Sequence, residues 1–97
     1  MVFRRRKAAP EPSEELQELV QNVARWIVIQ GGTSAFATRQ GTIVPTPYED
    51  CRVEVCIAGD ERQSFHVMRP TAIVATIVFS LTVNGGSHYL ETKWPQA

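Results

Sequence analysis

The stretch IVATIVFSLTV, residues 73–83, decides the fold, because every second residue in it is apolar without a break. Successive side chains of a β-strand point to opposite faces of a sheet, so this alternation predicts a long strand with one face in the core. The stretch is too short to cross a bilayer, which takes about 20 residues. The predicted inward row consists of Ile73, Ala75, Ile77, Phe79, Leu81 and Val83.

Two further stretches, CRVEVCI (residues 51–57) and SFHVM (residues 64–68), predict a hairpin. A loop of odd length, either three residues (59–61) or five, sets Val55 beside Phe65. The same register places Glu54 across from His66 on the other face of the sheet. The apolar odd positions of the first strand then face the core, namely Cys51, Val53, Val55 and Ile57.

The chain has two cysteines, Cys51 and Cys56, which lie five positions apart and therefore on opposite faces of one strand. Within one chain they cannot bridge each other or hold a metal together. Cysteines that meet across a homodimer interface are the alternative to two free thiols.

The segment HYLETKW, residues 88–94, predicts the strand that pairs with residues 73–83. A two-residue turn within NGG (residues 84–86) pairs the inward row with Leu90 and Thr92, whereas a three-residue loop turns Tyr89 inward. We prefer the two-residue turn, which keeps charged residues out of the core. The opposite face of the sheet is then formed by Val74, Thr76 and Val78 together with Tyr89.

One helix is predicted before the strands. Ser13 suits an N-cap, and Glu14 and Glu15 follow in the first turn, where the helix dipole favours negative charge. Gly31 suits a left-handed end to this helix. Its apolar stripe, at spacings of three and four, consists of Leu16, Leu19, Val20, Val23, Ala24 and Ile27.

A rival interpretation comes from the likeness of IVIQGGTSAFATR to LTVNGGSHYLETK, which would make residues 26–39 a hairpin. We prefer the longer helix, because a helix that runs into a strand without a loop is unusual. From Ser34 onward the pattern predicts strands, starting with the short segments AFAT (residues 35–38) and TIV (residues 42–44).

These elements define an α+β fold, in which one N-terminal helix packs on an antiparallel sheet of about four to five strands joined by sequential hairpins. Residues 13–97 form a single domain, and residues 1–12 form a disordered basic arm interrupted by Pro10 and Pro12. One helix covers about 10 Å of sheet width, and five strands about 4.8 Å apart span nearly twice that. Part of the sheet is therefore left uncovered.

Composition excludes several classes of protein. The 97 residues carry ten basic and ten acidic side chains, so the formal net charge is zero. This balance gives no indication of a membrane or nucleic-acid partner. The N-terminal arginines do not predict a secretory signal, because AAPEPSEE follows them where an apolar run is required, and a cytoplasmic setting is expected.

Few residues suggest chemistry. His66 and His88 are predicted on opposite faces, and the two Gly-Gly pairs match no phosphate-binding pattern. We find no motif for catalysis, a metal or a cofactor, and we expect none. A cluster of positive charge near the N-terminus could contact phosphates, and it consists of Arg4, Arg5, Arg6 and Lys7.

The sequence supports three hypotheses for function. The preferred one is a small non-enzymatic interaction or assembly module, of accessory or inhibitor type, that binds a protein partner or itself as a homodimer. It would act through the uncovered sheet face or through an edge strand. The alternatives are a nucleic-acid-binding protein that uses the basic arm, and a small-ligand or catalytic pocket between helix and sheet.

Overall fold

The computed structural model describes residues 12–81 and 87–95. Helix α1 spans Glu14–Ile29 and leads into a 3-10 helix, Gly32–Arg39. Five strands follow, which are β1 (Ile43–Pro45), β2 (Arg52–Val55), β3 (Arg62–Met68), β4 (Ile73–Leu81) and β5 (Ser87–Lys93). They form one antiparallel sheet in the order β1-β2-β3-β4-β5, so the predicted α+β fold with sequential hairpins is confirmed.

Helix α1 begins as the sequence predicts. The Ser13 side chain accepts a hydrogen bond from the backbone N–H of Leu16 at 3.1 Å, and this satisfies one of the free donors of the first turn. The predicted stripe packs on the sheet, with Val20, Val23 and Ile27 buried and Leu16, Leu19 and Ala24 partly buried against the core. The helix ends at Ile29, and Gly31 follows with φ of 121°.

The predicted strand at AFAT is wrong, because these residues belong to the 3-10 helix. The tighter turn lets Phe36 reach back to the core, where its ring packs 5.9 Å from Trp26 and 5.4 Å from Phe65. The hairpin over residues 26–39 is excluded for the same reason. The next predicted strand, TIV, corresponds to β1.

The register of β2 and β3 confirms the hairpin prediction. Val55 pairs with Phe65, and Glu54 pairs with His66. The predicted odd length of the loop is wrong, because Gly59 and Arg62 exchange backbone hydrogen bonds around a two-residue turn. The pairing of Gly59 with Arg62 is offset by one residue from that of Val55 with Phe65, and this irregularity preserves the predicted register. The prediction for Ile57 is wrong: β2 ends at Val55, and the Ile57 side chain is 72% exposed.

Two β-bulges interrupt the predicted alternation. In β4, Val67 pairs with Ala75 but Met68 pairs with Ile73, so Val74 is an extra residue. A bulge reverses which residues face the core on one side of it. Val74 accordingly packs against the core and Ile73 is exposed, the opposite of the sequence prediction.

The described core lies between the helices and the sheet. Its buried members come from α1, the 3-10 helix, strands β1 to β4 and Cys51 just before β2. All buried side-chain polar atoms of the described residues have hydrogen-bond partners. Tyr48 donates a hydrogen bond to the carbonyl oxygen of Asn22 at 3.3 Å, which ties the loop before β2 to α1. The predicted arm spans residues 1–12, of which residues 1–11 lie outside the described residues. The predicted NGG turn, residues 84–86, also lies outside them.

Candidate functional site

The two edges of the sheet differ in how well they are protected. Strand β1 has three residues and ends in Pro45, and short length and proline both discourage pairing with another chain. Strand β5 has seven residues, and among the described residues no strand pairs with its outer side. The edge of β5 is therefore the one open to strand addition.

A β-bulge shapes this edge. Ile77 pairs with Thr92 and Val78 with Glu91, as the two-residue turn predicts, but Phe79 pairs with Tyr89. The extra residue is Leu90. A bulge of this kind presents two consecutive side chains on one face of the sheet, so Leu90 and Glu91 both lie on the face away from α1.

Tyr89 consequently lies on the helix side. Its ring packs edge-on against Phe79, with ring centroids 6.2 Å apart, and its hydroxyl is 2.7 Å from that of Thr92. The sequence prediction that grouped Tyr89 with the opposite face is therefore wrong. The pairs after Leu90 in β5 have the register expected for a two-residue turn. The pairs before Leu90 have the register expected for a three-residue loop.

An open groove runs between α1 and the outer strands of the sheet. Its volume is about 420 Å³. The helix contributes Gln21, Ala24, Arg25 and Val28, and the sheet contributes Phe79, Tyr89 and Thr92. Among these described lining residues there is one cation and no anion. The groove therefore suits an apolar side chain with a negatively charged or polar neighbour.

A row of aromatic contacts leads from the core to this groove. Phe36 contacts Phe65 at 5.4 Å, and Phe65 contacts Phe79 at 5.7 Å, both edge to face. Tyr89 is the last ring in the row, and its side chain is 53% exposed. The aromatic packing of the core is thus continued to the edge of the sheet and left uncovered there.

The start of β5 is held in place by the segment after α1. The Ser87 hydroxyl accepts a hydrogen bond from the Thr33 backbone N–H at 2.8 Å, and it lies 2.9 Å from the Thr33 hydroxyl. Gly32, with φ of 70°, approaches so closely that an added Cβ would come within 2.6 Å of the Ser87 oxygen. This contact ties the start of the edge strand to the segment that follows α1.

A second depression lies on the other face of the sheet, with a volume of about 720 Å³. Leu90 is part of it and is 42% exposed. The remaining lining residues are Ile57, Gly59, Asp60, Glu61, Arg62, Ser64, Ser80 and Leu81. Two consecutive residues therefore expose apolar surface on the two faces of β5: Tyr89 on the helix side and Leu90 on the other.

The four residues predicted as a partner-binding face do not form one surface. Val74 packs on the core and Tyr89 lies on the helix side. Val78 is only 4% exposed, although it faces away from α1. Thr76 lies in a cross-strand row with Glu54, His66 and Lys93. This row makes the opposite face more polar than its alternating sequence suggests.

The titratable groups of the described residues do not converge on one site. His66 Nδ1 lies 2.9 Å from a Glu54 carboxylate oxygen, and both side chains are about one-third exposed. Within residues 12–81 and 87–95, no three His, Cys, Asp or Glu side chains are grouped so that they could hold a metal. The cluster Arg4 to Lys7 lies outside the described residues.

Both cysteines are free, as predicted. Burial raises the pKa of the Cys51 thiol, although the Thr46 hydroxyl and the charge of Arg69 act in the opposite direction. Burial also raises the pKa of Cys56, and the Glu54 carboxylate adds to this. A thiol with a raised pKa carries little thiolate at neutral pH and is a poor nucleophile.

Comparison with known proteins identifies no relative: no family model, no curated protein and no solved structure matches this chain. Within the described residues, α1 and the 3-10 helix are both too short and too polar to cross a membrane.

Proposed function

We propose that the protein is a small non-enzymatic interaction or assembly module that accepts a strand from a protein partner along the free edge of β5. The observation that supports this proposal is the exposure of Tyr89 and Leu90, consecutive residues on opposite faces of an edge strand. An added strand would cover both faces at once, because successive side chains of a strand point to opposite faces of the sheet.

Strand addition would also use the groove beside α1. Backbone hydrogen bonds supply affinity in this mode of recognition, and side-chain pockets next to the edge supply specificity. A partner side chain directed toward the helix would enter the space between Val28 and Tyr89, beside the Arg25 guanidinium. The pocket that the sequence analysis considered as a separate hypothesis would then be part of the protein-binding site.

Nucleic-acid binding is supported less well. The described basic residues on the sheet alternate with acidic ones, as Arg52 does with Glu54 and Glu91 does with Lys93. Binding to nucleic acid relies on a continuous basic surface. Strand addition does not require the protein to carry a net charge, and the formal net charge of this chain is zero.

The proposal is tested with Leu90→Glu and a matched variant at the opposite edge, Ile43→Glu. Both residues are partly exposed strand residues, at 42% and 52%, so neither substitution should unfold the protein. Tagged wild type and both variants are used to isolate complexes from cells, whether with another protein or with untagged copies of this chain. We expect Leu90→Glu to lose the complex and Ile43→Glu to keep it. Equal recovery by all three chains would refute binding at β5.

A further inference from the structure

We propose that the strand accepted by β5 is β5 of a second copy, paired antiparallel about a two-fold axis that passes between Leu90 and Glu91. This inference rests on the proposed function and adds the identity of the partner and the register. The inference follows from the faces to which successive side chains of β5 point, a pattern that the bulge makes irregular.

The bulge gives β5 an unusual pattern of faces. Tyr89 and Thr92 point toward α1, whereas Leu90 and Glu91 between them both point away. The side chains of a regular strand alternate strictly, so such a strand can pair with β5 only if one β5 residue is left unpaired. This is how β4 pairs with β5, where Leu90 is the unpaired residue. A second β5 has the same doubled pair of residues and can match it one to one.

Only one kind of register keeps every pair on the same face. If Leu90 pairs with Glu91 of the second copy, then Tyr89 pairs with Thr92 of that copy, and both point toward the helices. His88 pairs with Lys93 of the second copy, and both point away. Shifting the register by one residue would place Tyr89 opposite Glu91 or Lys93, which lie on the other face.

The dimer formed in this way is closed. The two sheets become one ten-stranded sheet, with both helices on one face and the two Tyr89 rings between them. The outer edges of that sheet are the two β1 strands, which are short and end in Pro45. Since these edges resist pairing, assembly stops at two copies and does not continue into a fibre.

Charge favours a second copy over a highly charged partner. Each chain has a formal net charge of zero, so two copies approach without long-range repulsion. The axis brings Leu90 of each copy together and also brings the two Glu91 carboxylates near each other. Glu91→Gln is therefore expected to tighten the dimer by about two- to fivefold, since like charges on facing strands oppose pairing.

Disulfide trapping tests this register. His88 and Lys93 are both exposed, and residues directly opposite on paired strands have Cβ atoms about 5 Å apart, close to disulfide range. His88→Cys and Lys93→Cys are made separately, each with Cys56→Ser to remove the half-buried native thiol. In the predicted register, the two copies of residue 88 lie about 17 Å apart, five positions at about 3.3 Å each.

We expect an equal mixture of the two cysteine variants to form the mixed disulfide rapidly, while each variant alone forms little. Ile43→Cys in place of Lys93→Cys serves as the control and should give no product. Efficient cross-linking of either variant with itself, or no cross-linking in the mixture, would overturn the register.

Light scattering and sedimentation of the unmodified protein complete the test. We expect a reversible dimer with a dissociation constant on the order of 10 µM, since a seven-residue edge offers less than a standard interface. Leu90→Glu places a second carboxylate opposite Glu91 of the other copy and should be monomeric. A monomeric wild type at about 1 mM would overturn the dimer. If the wild type is monomeric but binds an unrelated partner, and Leu90→Glu abolishes that binding, the proposed function stands; if it does not, both proposals fail.

Discussion

The hydroxyl of Tyr89 lies 2.7 Å from the hydroxyl of Thr92, three positions further along the same strand. In a regular strand, residues three apart point to opposite faces. The contact exists because the bulge at Leu90 reverses the alternation between them. Tyr89 therefore continues the aromatic packing of Phe79 on the helix side.

Substitutions at Tyr89 should separate the ring from its hydroxyl. Tyr89→Phe keeps the contact with Phe79 and should change the free energy of unfolding by less than about 0.5 kcal/mol, as at other exposed positions. Tyr89→Ala removes an aromatic pair worth about 0.5–1.5 kcal/mol in addition to its buried area, and it should also weaken self-association. Urea unfolding and sizing measure both effects. Equal losses for the two variants would show that the hydroxyl, rather than the ring, matters.

Removing the helix cap should cost stability. Ser13→Ala eliminates the acceptor for the Leu16 N–H, and we expect a loss of about 1 kcal/mol in the free energy of unfolding. Glu18→Ala, at an exposed position in the middle of the same helix, serves as the control and should change little. Urea denaturation with an unchanged slope would confirm that the native state, rather than the unfolded state, is affected.

Gly32→Ala should loosen the start of β5. The residue has φ of 70°, and a Cβ would lie 2.6 Å from the Ser87 oxygen. The left-handed backbone costs about 1 kcal/mol for a non-glycine residue, and the steric clash adds to it. Adding Ser87→Ala should recover only the part due to the clash. Amide exchange in β5 should accelerate in Gly32→Ala, and unchanged exchange would contradict the anchoring role of this contact.

The pair of Glu54 and His66 should contribute modestly. Their side chains are 38% and 30% exposed, and the two residues lie directly opposite each other on the paired strands β2 and β3. A double-mutant cycle with Glu54→Gln and His66→Ala should give a coupling energy of about 0.2–1 kcal/mol, the usual size for a cross-strand pair. A coupling energy near zero would mean that the contact exists without stabilising the sheet.

The two thiols predict a particular dependence of stability on pH. Burial raises the pKa of Cys51 and of Cys56 above the ordinary value of 9.0. The unfolded chain then releases these protons at lower pH than the folded protein does. Their contribution to stability is therefore constant below about pH 9 and falls as the pH rises beyond it. A variant with Cys51→Ala and Cys56→Ser should lose less stability between about pH 8 and 10 than the wild type does. Parallel losses would refute this assignment.

Much of the fold could be predicted from local patterns. Ser13, the apolar stripe of α1 and the pairing of Val55 with Phe65 were all inferred correctly, since each depends on residues near one another in the chain. The predicted strand at AFAT failed because Phe36 packs between Trp26 and Phe65, which are distant in sequence. The local sequence pattern of AFAT does not predict those contacts.

The candidate site was harder to predict. The sequence indicated an exposed edge strand and allowed Tyr89 to face either way, depending on the length of the preceding loop. The bulge at Leu90 gives the strand a different register on each side of that residue, and the register before it turns Tyr89 toward α1. A bulge has no residue signature here, because neither Leu90 nor Glu91 differs from an ordinary strand residue.

By itself, the sequence determined the class of fold, the helix and its cap, and the pairing of strands, because periodicity and turn residues act over a few positions. The tertiary structure decided which faces the side chains at the sheet edges occupy. It placed Tyr89 on the side of α1, Leu90 on the other side and Val74 against the core. A single extra residue exchanges the two faces of a strand, and only packing against the neighbouring strands and the helix determines where that residue is accommodated.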